Sequence, residues 1–168
     1  WTAAAEKSIL TVVGWHGGCP ESEPQHCPRT DPVVIMLRTD GSRTLLGRSP
    51  HWPEKMYSCL AGFLEPGETL EAAVAREVKE ETDVDIGPVQ YVASQPWPYP
   101  SSLMIGCMAS AKSTQIKIDP NELDDAKWVA KETLVKAFSG SDVGLIPARK
   151  GSIAGFLIRN WVKGTLSN

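Results

Sequence analysis

The chain has 168 residues, 42% of them hydrophobic and 22% charged, and its formal net charge of −3 leaves no basic stripe for a duplex nucleic acid. Four cysteines are too few for a disulfide framework at this length, and no run approaches the roughly 20 apolar residues of a bilayer-spanning helix. What remains is a compact domain with a real core, expected inside the cell; the chain opens on Trp1 and reads as a fragment or processed form of something longer, so its compartment stays open.

In chain order, residues 3–14 (AAAEKSILTVVG) read as an amphipathic helix, followed by a Gly, Pro and Cys loop to Pro32. Cys19 and Cys27 lie in that loop without a CxxC pair; with His16 or His26 they could supply zinc ligands in principle, but the spacing is poor for a tetrahedral site and no structural zinc is expected. Residues 1–32 are therefore set apart from a domain over 33–168. Alternating apolar runs at Val33–Leu37, Thr44–Gly47 and Tyr57–Gly62 predict strands, with Asp40-Gly41 as a hairpin turn. A helix follows from Leu70, then strands near Val89–Ala93, Leu103–Ala109, Gln115–Ile118 and Ala126–Val129. Helices close the chain at Lys131–Phe138 and Ser152–Lys163, the second with Ile153, Phe156, Leu157 and Trp161 at helical spacing. Cys59 and Cys107 fall in apolar runs, where a thiol is a small buried hydrophobe. Strands flanked by helices predict an α/β fold, an α/β/α sandwich with a mixed central sheet.

The most informative run is Gly62–Val84, GFLEPGETLEAAVAREVKEETDV. At about 100° per residue, Leu70, Ala73 and Val74 define the inward stripe of its helix, and one turn further the same stripe carries Glu77, Glu80 and Glu81. A charged helix face with Glu–Lys pairs would explain REVKEET alone, but not acids pointing inward. Crowded carboxylates need a counter-charge, and hard divalent cations supply one. The glycine, Glu68, the Arg76-Glu77-Val78 triplet and the Glu80-Glu81 pair stand at the spacing of the Nudix box, and here the chain resembles the Nudix hydrolases. Asp83 replaces the family's penultimate glycine and is expected to cap the helix in the left-handed region.

A second motif, Ser94-Gln95-Pro96-Trp97-Pro98-Tyr99-Pro100-Ser101-Ser102, has three alternating prolines that forbid a helix or a central strand, and it predicts a rigid extended loop. It is similar to the SQPWPFPxS signature of the NADH pyrophosphatase branch of that family, with Tyr99 for Phe. The resemblance implies the Nudix α/β/α sandwich and assigns roles position by position. Glu77, Glu80 and Glu81 are implied as catalytic metal ligands for Mg²⁺ or Mn²⁺, joined by the backbone carbonyl of Ala61 and by Glu122. Glu68 and Arg76 are implied as an internal ion pair. Phe63, the loop residues Gln95, Pro96, Trp97, Pro98, Tyr99, Pro100, Ser101 and Ser102, and the backbone of Ala154 are implied as substrate contacts. Relatives in this branch carry a four-cysteine zinc ribbon, so residues 1–32 read as its eroded remnant. Cys27 stands where they have a base-stacking tyrosine.

The activity implied is hydrolysis of the diphosphate of NADH or NAD⁺ to AMP and the corresponding nicotinamide mononucleotide. Two other readings stay open. One is a broader ADP-ribose or dinucleotide diphosphatase, or an enzyme removing NAD caps from RNA 5′ ends; the other is a catalytically silent nucleotide-sensing module. Expected partners are thus a dinucleotide, NAD-capped RNA ends and a second copy in a homodimer, with no membrane.

Overall fold

The computed structural model describes residues 29–166, together with the backbone of three short strands before them. Contacts divide the chain into two units, Trp1–Thr30 and Asp31–Asn168. In the first, β1 (Ile9–Thr11), β2 (His16–Gly18) and β3 (Gln25–His26) form an antiparallel sheet in that order. The helix expected over 3–14 is thus a strand at Ile9–Thr11, where the β-branched Ile9 and Thr11 suit a pleated backbone; the rest of that helix, with Cys19 and Cys27, lies outside the described residues.

The second unit is built on a six-stranded mixed sheet. Its strands are β4 (Asp31–Thr39), β5 (Arg43–Arg48), β6 (Leu60–Phe63), β7 (Ile86–Trp97), β8 (Ser102–Ala111) and β9 (Asp125–Ala130), in the order β7-β8-β4-β5-β9, with β6 also paired to β4. β4 is parallel to β8 and is buried on both faces: Val34 and Met36 enter one core, Ile35 and Leu37 the other. Helix α1 (Leu70–Thr82) covers the first core with Ala73, Val74 and Val78. Helices α2 (Lys131–Phe138) and α3 (Ile153–Val162) cover the second, so the layers are α/β/α as predicted. Cys59 and Cys107 are buried. Among the described residues no helix is long and apolar enough to cross a membrane.

Four expectations are corrected. The strand expected at Tyr57–Gly62 begins only at Leu60. Gln115–Ile118 is not a strand: the amide of Lys117 donates to Thr82 O (3.0 Å) and that of Asp119 to Glu81 O (3.2 Å), so this segment satisfies the open carbonyls at the end of α1. Phe156 does not join the buried stripe of α3 but is 48% exposed. Lastly, the expected proline loop is strand as far as Trp97. β7 is a sheet edge, and Pro96, lacking an amide, is tolerated there.

Candidate active site

Both ends of α1 are fixed locally. Thr69 Oγ1 accepts the Ala72 amide (3.2 Å) at the N-cap, and Asp83 adopts the left-handed conformation (φ 56°) at the C-cap, as its short polar side chain allows. The buried stripe runs through Val74 and Val78 to Glu81, which is 8% exposed. Glu77 lies at the rim of the stripe. Glu80, about 100° back from Glu81, faces outward with its side chain 60% exposed. Three inward acids were expected; α1 turns two of them inward.

Arg76 organises what faces outward. Its Nε and Nη2 donate to the two oxygens of Glu68 (2.8 Å each), and Nη2 also reaches Phe63 O (3.0 Å). Its Nη1 donates to Glu77 Oε1 (2.8 Å) and Glu80 Oε2 (3.2 Å). The pair expected from the sequence, Glu68 and Arg76, is therefore one bidentate fork within a larger web. The Arg76 hydrogen bonds, helped by the Glu65 amide, hold the Glu68 carboxyl down to about 2.

The inward acids are crowded. A Cβ on Gly62 would stand 1.9 Å from Glu77 Cδ and 2.1 Å from each carboxylate oxygen, so the carboxylate occupies the space that only glycine leaves. Burial raises the Glu77 carboxyl against the pull of Arg76. Burial pushes Glu81 up to about 8, with Glu77 and Glu122 adding repulsion and Arg38 opposing. Arg38 is itself buried, bonded to Thr82 Oγ1 (3.3 Å) beside the Trp128 ring (5.5 Å). Glu81 and Glu122 line one cleft with Ala61, Cys59 and Trp52.

These residues fit a hard divalent cation: the donors are carboxylate and carbonyl oxygens, Glu81 is buried among like charges, and glycine makes room for Glu77. Among the described residues, no three His, Cys, Asp or Glu side chains are gathered tightly enough to hold one as they stand. Glu77 and Glu80 are turned to Arg76 instead, and a cation would have to draw them from it.

A second cleft adjoins the first and shares Trp52, Cys59 and Ala61 with it. Its other walls are Tyr57, Gln95 and Trp97, with Ile153 and Ala154 from the first turn of α3. Here the motif residues part company. Trp97 lines the cleft, stacked edge-on to the exposed Tyr99 (5.4 Å between centroids). Gln95 also lines it, but its side chain is spent on the backbone: Nε2 donates to Gly151 O and Oε1 accepts the Ile153 amide, both at 2.8 Å. It clasps α3 to the sheet edge rather than standing free for a ligand. Pro96 faces a neighbouring groove. Pro98, Tyr99 and Pro100 form the turn, with Tyr99-Pro100 cis; Ser101 binds Asp31 through Oγ (3.3 Å) and its carbonyl (2.8 Å), and Ser102 is buried opposite Trp97. None of these five lines the cleft, because the hairpin connecting β7 and β8 carries them past it. Phe63 is 59% exposed and lies outside it as well. Sequence reasoning missed Trp52, Tyr57 and Arg38. The Trp52-Pro53 pair offered a signal of a shaped aromatic loop; a lone arginine in an apolar strand offered none.

The model of the NUDIX domain matches residues 28–148. The chain belongs to the Nudix family. Divalent metals such as Mg²⁺ or Mn²⁺ are in general use across Nudix hydrolases. The chain is 50% identical over 151 residues to a human protein named NAD-capped RNA hydrolase NUDT12, covering 86% of this chain and 33% of that protein. It is 46% identical over 140 residues to the NAD-capped RNA hydrolase NudC of Stutzerimonas stutzeri, covering 83% and 47%. It thus spans about a third to a half of these relatives. Among solved structures, a NUDIX hydrolase from Nitrosomonas europaea aligns with TM-score 0.63 at 20% identity, covering 74% of this chain and 73% of that one. At that identity the likeness concerns the fold.

Proposed function

We propose that this Nudix domain hydrolyses the diphosphate of NADH and NAD⁺, free or as the 5′ cap of an RNA, releasing AMP or an AMP-ended RNA and the nicotinamide mononucleotide. One observation carries the reading: an acid-lined cleft opens into an aromatic cleft at a shared edge, Ala61 and Trp52, so a diphosphate at the first leaves its nucleoside ends to the second. The names of the relatives at 46–50% identity support the choice of NAD and of capped RNA. The presence of every acidic box residue disfavours a silent module.

In this proposal Glu77, Glu80, Glu81, Glu122 and the Ala61 carbonyl hold the cations. When bound, these would offset the charge of the diphosphate and lower the pKa of an attacking water. Among the chain's own groups, Glu81 is the proposed proton acceptor from that water. Its carboxyl is the buried one among the helix acids and lines the acidic cleft with Glu122 and Ala61, where an attacking water would meet the diphosphate. Arg76 gathers Glu77 and Glu80 side by side, from where a cation would draw them, and Glu68 anchors Arg76. Trp52 and Trp97 exclude water and offer stacking faces, with the backbone of Ala154 behind them. Phe63 and Tyr99, both exposed, are proposed to stack bases or to meet a second copy in a homodimer. Incubation with NADH, NAD⁺ and ADP-ribose, with and without Mg²⁺ or Mn²⁺, tests this. Metal-dependent AMP and reduced nicotinamide mononucleotide are expected; faster turnover of ADP-ribose would favour the broader diphosphatase.

A further inference from the structure

A groove of about 460 Å³ runs on from the aromatic cleft, sharing Gln95, Ser152 and Ile153 with it, and the mechanism above makes no use of it. One side is β7 at Ser94–Pro96; the other is the outer face of α3. Lys150, Arg159 and Lys163 line it, and no carboxylate does among the described residues. None of the three cations has an ion-pair partner among the described residues, in a chain whose net charge is −3. Arg159 stacks over Phe138 (4.2 Å), which holds the guanidinium in place, and its Nε is buried and unbonded. Phe156 adds an exposed aromatic ring on a helix whose other large apolar residues are buried. Asn160, one turn on, is fixed by its bond to Phe156 O (2.9 Å).

Cations without acids select an anion, and an exposed ring among them selects one with flat apolar faces. That combination is how single-stranded nucleic acids are held: basic groups track phosphates while aromatics stack bases. On the reading above a free dinucleotide is accommodated by the acidic and aromatic clefts, so only a substrate with more nucleotides would reach this far. We propose that the groove between β7 and α3 binds the first nucleotides of a single-stranded RNA whose 5′ end occupies the aromatic cleft. This rests on the capped-RNA reading above, deepening it by giving the RNA body a site of its own.

Two measurements separate the inferences. In the first, anisotropy follows binding of a fluorescent single-stranded RNA of about 10 nucleotides with a plain 5′-phosphate, which needs no hydrolysis. Lys150→Glu/Lys163→Glu is expected to weaken binding at least about tenfold, and the slope of log affinity against log salt should flatten by about 1.4, two phosphate contacts at roughly 0.7 each. Phe156→Ala should weaken binding about tenfold, one stacked base. In the second, KM for NAD-capped RNA rises in the same variants while kcat and KM for NADH and the melting temperature hold. Absence of RNA binding by the parent, or equal binding by parent and variants, overturns the groove whatever the activity. An equal loss on NADH and capped RNA also overturns it, because the residues would then serve the dinucleotide site or the fold. Failure of the parent to hydrolyse either substrate refutes the proposed function, and the binding result still decides the groove.

Discussion

Two glycines of the box do different work, and Gly62→Ala against Gly67→Ala separates them. At Gly62 a Cβ would enter the Glu77 carboxylate, 1.9 Å from Cδ, whereas ordinary contact begins near 3.4 Å. Backbone on both sides is fixed by β6 pairing with β4, so the carboxylate must retreat by more than 1 Å and strain its 2.8 Å bond to Arg76. The displaced group is the end of a flexible, partly exposed side chain, so the fold loses only about 1 kcal/mol and melts a few degrees lower. Catalysis is less forgiving: an error of about 1 Å in a positioned group costs on the order of 10²-fold. Gly67 has open space around its Cα but a φ of +84°, so alanine there costs roughly 1 kcal/mol of backbone strain and disturbs no acid. Thermal melts, Mn²⁺ titration and NADH kinetics are to be run on both. The expected result is similar melting shifts, with weakened metal binding and a lost kcat in Gly62→Ala alone. Unchanged kcat and Mn²⁺ affinity in Gly62→Ala, or an equal loss in Gly67→Ala, would refute the reasoning.

Glu81 makes the metal-free protein sensitive to pH. Its carboxyl is raised in the fold, so the stability it contributes is full below the ordinary value of 4.5 and is lost as pH rises through about 8. The loss is at most about 5 kcal/mol; chemical denaturation in EDTA should show it, Glu81→Gln should flatten it while abolishing turnover, and Mg²⁺ should restore the parent at the alkaline end. Gln95→Ala leaves Gly151 O and the Ile153 amide without their partner. It should lower stability by about 1–3 kcal/mol and raise KM for NADH, with kcat less affected, because the first turn of α3 lines the cleft; an unchanged KM would show that the clasp does not shape the site. Asp83→Gly removes the strain of a left-handed aspartate but also its exposed ion pair with Lys79 (2.7 Å). The balance should be a gain of up to about 1 kcal/mol with activity unchanged, checked by denaturation and NADH assay.

What the sequence could disclose was whatever depends on local period and chain-adjacent chemistry. The box helix, its Asp83 cap and the Glu68–Arg76 pair all follow from residues within a few turns of each other. Direction around the helix was legible only to within one residue step, which is why Glu80 was expected inward and is not. Gln115–Ile118 has the alternation of a strand, and Ile116 and Ile118 do pack on the α1-side core; the backbone partners are helix carbonyls, which no pattern in the segment encodes. Gln95 shows the same limit at the site. Its motif points to a ligand, but Gly151 and Ile153 are 56 and 58 residues away and take up the side chain.

That long-range placement is also what brings the two motifs together. Ile35 on β4 pairs with Ala61 on one side and Gly106 on the other, and Gly106 pairs with Ala93, just before Ser94 and Gln95. Four strands at about 4.8 Å spacing therefore set the box and the β7 motif roughly 14 Å apart along one row of the sheet. Gly106 has a second duty in that row: a Cβ there would stand 2.9 Å from Ile153 Cδ1, so glycine lets the start of α3 settle onto the sheet. The aromatic cleft is then the space between that seated helix end and the Trp52 loop, and its acidic neighbour is reached across Ala61. The box alone sets acids on a helix; the parallel pairing of β4 with β8 gives them a substrate wall at a fixed distance.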